Sequence, residues 1–307
     1  MELARRFALA VVVVLLAAST ACGGDEAGSG RAPVVLAGQS FTEADIVNQL
    51  YAQLLEKAGF RARIKKVGAR QLYLGPLGKG AVQLAADNLS ATTEQLNRDA
   101  HGPDAAPVAS ADVDATHAKL TELGKDAGIT PLDPTRAEDG IAFAVTRQYA
   151  AQHHLKTLSD LGRLGRPIAL AAGTPCAERD DCAKGLQSVY GIKLSRVEPL
   201  LSGSSDTLDA LRRGQVQLAQ VTTTDGSLAG LGVVTLRDDK SWQRAENLVP
   251  LLNTAWLDRH PRARPILNRL ANVLTTADLA RLNGQVDVSG RSPREVAQAY
   301  LESKGLL

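Results

Sequence analysis

The sequence predicts an α/β protein with two lobes. Segments with the pattern of strands and helices alternate over most of the 307 residues, which favours layers of helices on sheets with parallel strands. An apolar run that ends in glycine and leads into a helix-like segment occurs twice, at residues 34–38 and 167–173. Ligands bind beyond the carboxyl ends of strands in such sheets, so we expect a cleft between the lobes. A single doubly wound enzyme domain is the competing architecture that the pattern leaves open.

Residues 34–67 have the pattern of a βαβ unit. The first five residues are apolar and β-branched at their start, as in a buried parallel strand. Ser40 or Thr42 can begin a helix whose apolar residues recur at helical spacing up to Gly59, where a helix end is expected. The last seven residues alternate loosely, like a second strand. The amino end of this helix would point free N–H groups beyond the end of the first strand.

Further segments of both kinds follow along the chain. The predicted strands are residues 82–86, 129–132, 141–145, 167–173, 194–200, 216–221, 232–236 and 248–252. The predicted helices are residues 71–79, 112–127, 157–164, 181–190, 205–213, 264–274, 276–286 and 293–303, with a helical turn at 92–97. Ser292-Pro293 followed by Glu295 is a strong helix start, because each residue type suits its place in the first turn.

The first 32 residues have the pattern of an export signal and a tether. Two arginines precede an apolar run at residues 7–18, which is too short to span a bilayer. Ser19-Thr20-Ala21-Cys22 resembles a bacterial lipoprotein cleavage site, so residues 1–21 are predicted to be removed and Cys22 to carry a lipid. Residues 22–32 are polar and glycine-rich, as in a flexible tether. Cleavage nearby with an unmodified Cys22 is the alternative.

Charge, motifs and cysteines exclude several classes of function. The formal net charge is +2, from 35 Lys and Arg against 33 Asp and Glu, which argues against a nucleic-acid partner. Hydrolase, P-loop, zinc-protease and dinucleotide motifs are absent from the sequence, so we expect no catalysis, metal or cofactor. Cys176 and Cys182 are expected to form a disulfide in an exported chain, with two free thiols as the alternative.

Several short motifs, each weak alone, occur in the order in which a known family has them. They are Gly38-Gln39-Ser40-Phe41-Thr42-Glu43, Gly173-Thr174-Pro175-Cys176 with Arg179 and Cys182, Thr224-Asp225, and Asn247-Leu248-Val249-Pro250-Leu251. Together they resemble the osmoprotectant-binding proteins, the glycine betaine/choline/proline-type binding subunits of ABC importers. The resemblance extends over nearly the whole chain after the tether.

The resemblance implies a type II periplasmic-binding-protein fold, in which two lobes close on a ligand. It places lobe 1 at residues 33–138 plus 224–307 and lobe 2 at residues 139–223. A ligand that contacts both lobes only in the closed state shifts the open–closed population, and an importer would recognise the closed form. The implied partners are a permease, an ATPase and a small polar solute. The protein itself is expected to be a lipid-anchored monomer on the outer face of the cytoplasmic membrane.

The aromatic cage that holds quaternary ammonium ligands in this family is predicted to be lost. The positions that the resemblance matches to cage tyrosines hold Asn88, Ile141 (where the family has Tyr or Asn), Leu208 and Thr222. The chain has five tyrosines, and Tyr73 is the best remaining candidate for a ligand contact, with a structural role as the alternative. We therefore expect an altered ligand specificity.

The remaining candidates for ligand contacts are polar. They are Gln39, Ser40, Thr42, Asn88, Ser90, Arg179, Thr222, Thr223 and Asp225. Arg179 matches a position that grips the ligand carboxylate in relatives, and its guanidinium could do so through two parallel hydrogen bonds. Its alternative role is to organise the loop between Cys176 and Cys182. The amide and hydroxyl groups suit a hydroxyl or amide on the ligand, with helix capping and strand-end hydrogen bonds as the alternative.

Three hypotheses of function follow. The leading one is a membrane-anchored substrate-binding lipoprotein of an ABC importer for a small polar solute, with carboxylated and hydroxylated compounds as the candidates. The second is a sensor or interaction lipoprotein that kept the fold but not the transport role. The third, an envelope enzyme, is disfavoured because the catalytic motifs named above are missing.

Overall fold

The computed structural model describes residues 32–307 and contains two five-stranded sheets, each with helices on both faces. The predicted signal at residues 1–21, Cys22 and nearly all of the predicted tether lie outside the described residues. The predicted α/β fold with two lobes of type II is confirmed, with one sheet at the centre of each lobe.

The chain builds most of lobe 1, then lobe 2, and then returns to lobe 1. Lobe 1 begins with β1 (Val34–Gln39), α1 (Thr42–Lys57), β2 (Ala62–Val67), α2 (Gln71–Gly78), β3 (Leu84–Asn88), α3 (Leu89–His101), α4 (Val113–Ala127) and β4 (Ile129–Pro131). Lobe 2 consists of β5 (Ile141–Thr146), α5 (Arg147–His153), α6 (Leu158–Arg163), β6 (Ile168–Ala172), a 3-10 helix (Thr174–Glu178), α7 (Ala183–Tyr190), β7 (Leu194–Pro199), α8 (Ser205–Arg212), β8 (Leu218–Thr222) and β9 (Val233–Leu236). Lobe 1 is completed by β10 (Leu248–Asn253), α9 (Thr254–Arg259), α10 (Ala263–Ala271), α11 (Thr276–Asp287) and α12 (Pro293–Ser303).

Each sheet is buried on both faces because its strands present apolar side chains on both sides. In β1, Val34 and Leu36 pack against α1 and the C-terminal helices, whereas Val35 and Ala37 pack on the opposite face, toward α2, α3 and α4. The side chains of consecutive residues point to opposite faces of a strand, so a continuous apolar run is what two covered faces require. The continuous runs in the sequence predicted this arrangement correctly.

Two segments join the lobes and lie side by side. Residues 132–140 lead from β4 to β5, and residues 237–247 lead from β9 back to β10. Glu138 and Asn247 form an antiparallel bridge, and the N–H of Asp139 donates to the carbonyl of Glu246 at 3.0 Å. These paired crossing segments fix the two lobes at one edge and leave a cleft beside them.

The sheets differ from the predicted parallel arrangement because each has antiparallel strands. The order in lobe 1 is β2-β1-β3-β10-β4, and β10 runs antiparallel to β3 and β4. The order in lobe 2 is β7-β6-β8-β5-β9, and β5 runs antiparallel to β8 and β9. The antiparallel strands β5 and β10 are those that the chain enters directly from a crossing segment, without the helical crossover that joins parallel neighbours.

The predicted boundary of lobe 2 at residue 223 is also corrected by the sheet. β9 pairs with β5 from Phe143↔Leu236 to Thr146↔Val233, so the chain stays in lobe 2 until about residue 236. The predicted return to lobe 1 at residue 224 assigned this strand to the wrong lobe.

Helix α3 is longer than the predicted turn at residues 92–97. It has 13 residues, and its buried side chains include several polar ones that obscure the apolar periodicity. The hydroxyl of Thr93 donates to the carbonyl of Leu89 at 2.7 Å, and Nδ2 of Asn97 donates to the carbonyl of Ala106 at 2.9 Å. These polar side chains are buried because they bond to the backbone. The short helices α5 and α9 were not predicted either.

Candidate functional site in the cleft

A cavity of about 450 Å³ lies in the cleft and is lined by both lobes. Lobe 1 contributes the first turn of α1 and the end of α11, and lobe 2 contributes the segment after β7 and the end of β8. The lining residues are Phe41, Thr42, Glu43, Asp139, Ser202, Gly203, Thr222, Thr224, Asp225, Gly226, Ser227, Asn283 and Asp287. The cavity therefore lies beyond the carboxyl ends of β1 and β8, where an α/β fold binds ligands.

Short hydrogen bonds hold the side chains on the two walls. On the wall of lobe 1, the hydroxyl of Thr42 donates to Oδ1 of Asp287 at 2.6 Å, which ties the start of α1 to the end of α11. On the wall of lobe 2, Oδ1 of Asp225 accepts from the N–H of Ser227 at 2.9 Å and from its hydroxyl at 2.7 Å. Asp225 is thereby fixed in the turn that follows β8.

Glu43 and Asp139 form the floor of the cavity. Glu43 is buried, and its Oε2 accepts a hydrogen bond of 2.7 Å from Nδ2 of Asn283. Thr224 links the two carboxylates, because its carbonyl accepts from the same Nδ2 at 3.0 Å and its hydroxyl donates to Oδ1 of Asp139 at 2.9 Å. Burial, and then the nearby charge of Asp139, raise the pKa of Glu43 to about 8. Glu43 is therefore largely protonated at neutral pH when the cavity is empty.

Three of the predicted ligand-binding residues line this cavity: Thr42, Thr222 and Asp225. Two more lie next to it. Gln39 and Asn88 line a pocket of about 20 Å³ that also includes Phe41 and Glu43. Nδ2 of Asn88 donates to the carbonyl of Asp139 at 2.8 Å, so this amide connects β3 to the crossing segment.

The other polar candidates make backbone hydrogen bonds outside the cavity lining. The hydroxyl of Ser40 donates to the carbonyl of Val67 at 3.2 Å, and that of the buried Ser90 to the carbonyl of Ala245 at 2.6 Å. The hydroxyl of Thr223 donates to the carbonyl of Glu138 at 2.5 Å and accepts from the N–H of Gly140 at 3.0 Å. Thr223 thus holds the end of β8 to the crossing segment. This is the strand-end hydrogen bonding that was the alternative to a ligand contact.

The apolar and aromatic candidates are also placed away from this cavity. Leu208 is 4 % exposed and belongs to the core under α8, and Ile141 lines a different cavity beside the crossing segments. Tyr73 is 1 % exposed, and its hydroxyl donates to Asp87. Asp87 also accepts hydrogen bonds from Nε and Nη2 of Arg70, each at 2.7 Å. Tyr73 therefore completes a buried polar cluster.

Arg179 lies in the loop between Cys176 and Cys182, outside the cavity lining. It is exposed and binds Asp181 through Nε at 2.7 Å and Nη2 at 2.5 Å. The sulfur atoms of Cys176 and Cys182 lie within bonding distance of each other and close this loop. The role of Arg179 in holding a ligand carboxylate stays a prediction.

Ten lining residues were absent from the predicted set: Phe41, Glu43, Asp139, Ser202, Gly203, Thr224, Gly226, Ser227, Asn283 and Asp287. Glu43 lies inside the motif that carries the resemblance, so its place in the first turn of α1 was a usable signal. Asn283 and Asp287 reach the cavity because α11 packs beside α1, about 240 residues earlier in the chain. No local pattern in α11 shows that contact.

Two α/β lobes, paired crossing segments and a polar cavity lined by both lobes are the features of a two-lobed solute-binding protein. Among residues 32–307, no helix has the length and apolar character needed to cross a membrane. The chain belongs to the OpuAC family, the substrate binding domain of ABC-type glycine betaine transport systems, and residues 32–303 match that family.

Individual relatives agree with this family. The chain is 26% identical over 281 residues to a glycine-betaine-binding protein of Pseudomonas aeruginosa, covering 89% of this chain and 88% of that one. It is 26% identical over 283 residues to the glycine betaine-binding protein YehZ of Escherichia coli, covering 89% and 91%. The solved structure of apo YehZ from E. coli superposes with a TM-score of 0.77 at 24% identity, covering 90% of this chain and all of that one.

Proposed function

We propose that this protein captures a small polar solute in the cleft cavity and delivers it to the permease and ATPase of an ABC importer, with a ligand specificity that differs from that of cage-bearing relatives. The observation that carries this proposal is the composition of the cavity. Both lobes line it, and among the lining residues Phe41 is the one aromatic side chain. A cage of several rings, which quaternary ammonium groups favour, is not assembled there.

Binding rather than catalysis is the role that this geometry supports. The carboxylates and hydroxyls of the cavity hydrogen-bond to one another, and family members are solute-binding proteins. Closing the lobes would bring both walls onto the solute, so the solute would stabilise the closed form that a permease can recognise.

A thermal-shift and calorimetry screen of the purified protein tests this proposal. The panel holds betaine, choline, carnitine and proline beside sugars, polyols, amino acids and amines. A solute at 100 times its dissociation constant should raise the free energy of unfolding by roughly 2.7 kcal/mol. A protein that no solute stabilises, but that binds a partner outside any transporter, would favour the sensor or interaction hypothesis.

A cavity-filling variant tests where the solute binds. Thr222 is an exposed lining residue at the end of β8, so the indole of Thr222→Trp would occupy the cavity without disturbing the core. We expect affinity to fall at least 100-fold. Ser188→Trp, on the exposed side of α7 in the same lobe, is the matched control and should bind as the unaltered protein does. Equal binding by both variants would place the solute elsewhere.

A lipid anchor at Cys22 and a disulfide between Cys176 and Cys182 complete the proposal for an envelope lipoprotein. The anchor rests on the sequence alone, and the disulfide is supported by the approach of the two sulfur atoms. Mass spectrometry of the protein from membranes, alkylated before and after reduction, tests both modifications. Two free thiols, or an unmodified Cys22 in the membrane fraction, would contradict them.

A further inference from the structure

The cavity is rich in hydrogen-bond acceptors and negative charge. Asp139, Asp225 and Asp287 contribute three carboxylates, Glu43 contributes a carboxyl group that is largely protonated, and none of the described residues that line the cavity is lysine, arginine or histidine. Carboxylate oxygens only accept hydrogen bonds when ionised. The local charge therefore attracts cations and repels anions.

The cavity's side chains already use most of their own hydrogen-bond donors. The hydroxyl of Thr42 donates to Asp287, that of Thr224 to Asp139 and that of Ser227 to Asp225. The hydroxyl of Ser202 donates to the carbonyl of Gln220 at 3.1 Å. Apart from protonated Glu43, the side chains leave mainly acceptor oxygen to a ligand, so a ligand that binds to these side chains has to bring the donors.

Asn283 independently indicates that a ligand should bring hydrogen-bond donors. It lines the cavity, is 6 % exposed, and donates both hydrogens of Nδ2, to Oε2 of Glu43 and to the carbonyl of Thr224. The carbonyl of Thr224 can only accept, which fixes which end of the amide is nitrogen and which is oxygen. Its Oδ1 has no hydrogen-bond partner among residues 32–307. A buried acceptor without a donor is unfavourable, so a ligand donor that reached this atom as the lobes close would complete the amide.

A quaternary ammonium group does not supply what this cavity lacks. Its nitrogen carries four carbons and no N–H, so it depends on aromatic faces or on charge alone. Phe41 offers one ring, at the edge of the cavity and 46 % exposed. A protonated amine or a guanidinium carries the same charge and in addition donates several hydrogen bonds.

We propose that the ligand is a small organic cation whose nitrogen carries N–H groups, held by the carboxylates of Asp139, Asp225 and Asp287 and by Oδ1 of Asn283. This inference rests on the proposed function, because it names the chemical class of the solute that binds in the same cavity. The permethylated solutes that relatives are named for would then be weak ligands of this protein.

Two pairs of solutes that differ by three methyl groups on nitrogen test this inference by calorimetry with the purified protein. The pairs are ethanolamine with choline and glycine with glycine betaine. We expect the unmethylated member of each pair to bind at least tenfold more tightly, and ethanolamine to bind more tightly than glycine because it lacks a carboxylate. Trimethylated members that bind as tightly or more tightly would overturn the inference.

Charge-removing variants provide the second measurement. Asp225→Asn and Asp287→Asn keep the shape of each side chain and should each weaken ethanolamine binding at least tenfold. Asp104→Asn, on an exposed loop outside the cleft, should leave it unchanged. If both cavity variants bind ethanolamine normally, the inference fails.

The proposed function and this inference can fail separately. Suppose that neither pair binds, that a solute without a cationic N–H group does bind, and that Thr222→Trp abolishes this binding. The inference is then wrong and the cleft site stands. If no solute of any charge binds, both are wrong.

Discussion

The two strand-to-helix openings that look alike in the sequence lie in different surroundings. β1 passes through Gly38 into α1, whose first turn lines the cavity between the lobes. β6 passes through Gly173 into the 3-10 helix and the loop that Cys176 and Cys182 close, and no residue of that loop lines the cavity. A similar local pattern thus yields one wall of the cavity in lobe 1 and a closed surface loop in lobe 2.

The ionisable groups at the two openings also differ in their burial. Glu43 in the first turn of α1 is buried beside Asp139, which makes its ionisation unfavourable. Arg179 in the loop after β6 is exposed and paired with Asp181, an arrangement that contributes little to stability. A buried carboxyl group whose ionisation is unfavourable therefore distinguishes the opening that lines the cavity from the opening that does not.

We expect the free energy of unfolding to vary with pH because of Glu43, in the first turn of α1. Below pH 4.5, Glu43 is protonated in both the folded and the unfolded chain. Between pH 4.5 and about 8, the unfolded chain releases a proton that the folded chain retains, so the free energy of unfolding falls as pH rises. The loss from Glu43 is up to roughly 4 kcal/mol. Glu246, whose pKa burial raises to about 7, acts in the same direction.

Urea unfolding between pH 5 and pH 8 measures this effect. Glu43→Gln keeps an oxygen that can accept from Asn283 and cannot ionise, so it should remove about half of the decline and leave the part that Glu246 contributes. Glu302→Gln, at the exposed end of α12, should retain the decline in full. The same decline in both variants would show that the pKa of Glu43 is not raised in the folded protein.

The glycines at the two openings should differ in their tolerance of alanine. A Cβ added at Gly38 would lie 2.2 Å from Nδ2 of Asn48, which is 2 % exposed and has little room to move. We expect Gly38→Ala to lower the free energy of unfolding by about 1–3 kcal/mol. A Cβ at Gly173 would have Cδ of Pro175 as its nearest neighbour, at 3.9 Å.

Gly173→Ala is the matched control for that substitution. The φ of Gly173 is −58°, which alanine adopts readily, so its effect should lie between neutral and about 1 kcal/mol of stabilisation through the unfolded chain. Chemical unfolding of both variants measures the difference. Equal losses would mean that the two openings are equally tightly packed.

The fold was predictable because its signals are local or repeated. Continuous apolar strands, glycine helix ends and the Ser292–Glu295 capping box each have a direct physical cause, and the structure shows the same box at the start of α12. The direction of β10 and the membership of β9 in lobe 2 were not predictable in this way. Strand pairing depends on contacts between segments distant in the sequence, which periodicity does not encode.

Residues of the candidate site were predictable only where they belong to a local sequence pattern. Thr42, Thr222 and Asp225 adjoin strand or helix ends, and their positions follow from the rule that α/β proteins bind ligands there. Asn283 and Asp287 enter through helix packing across the sequence. Leu208 was matched through the resemblance to a contact residue of the family, yet here it fills the core under α8.

Arg179→Ala gives the smallest expected effect and the sharpest comparison of the two openings. The resemblance implies that Arg179 holds a ligand carboxylate, and its loss would then weaken binding at least tenfold. If the cavity holds an amine cation, the affinity for ethanolamine should change less than twofold, because the Arg179–Asp181 pair lies outside the lining. Arg196→Ala, which removes the exposed Arg196–Glu198 pair from β7 of the same lobe, is the control. A tenfold loss with Arg179→Ala alone would mean that closure brings the second opening onto the ligand, so that both openings bind it.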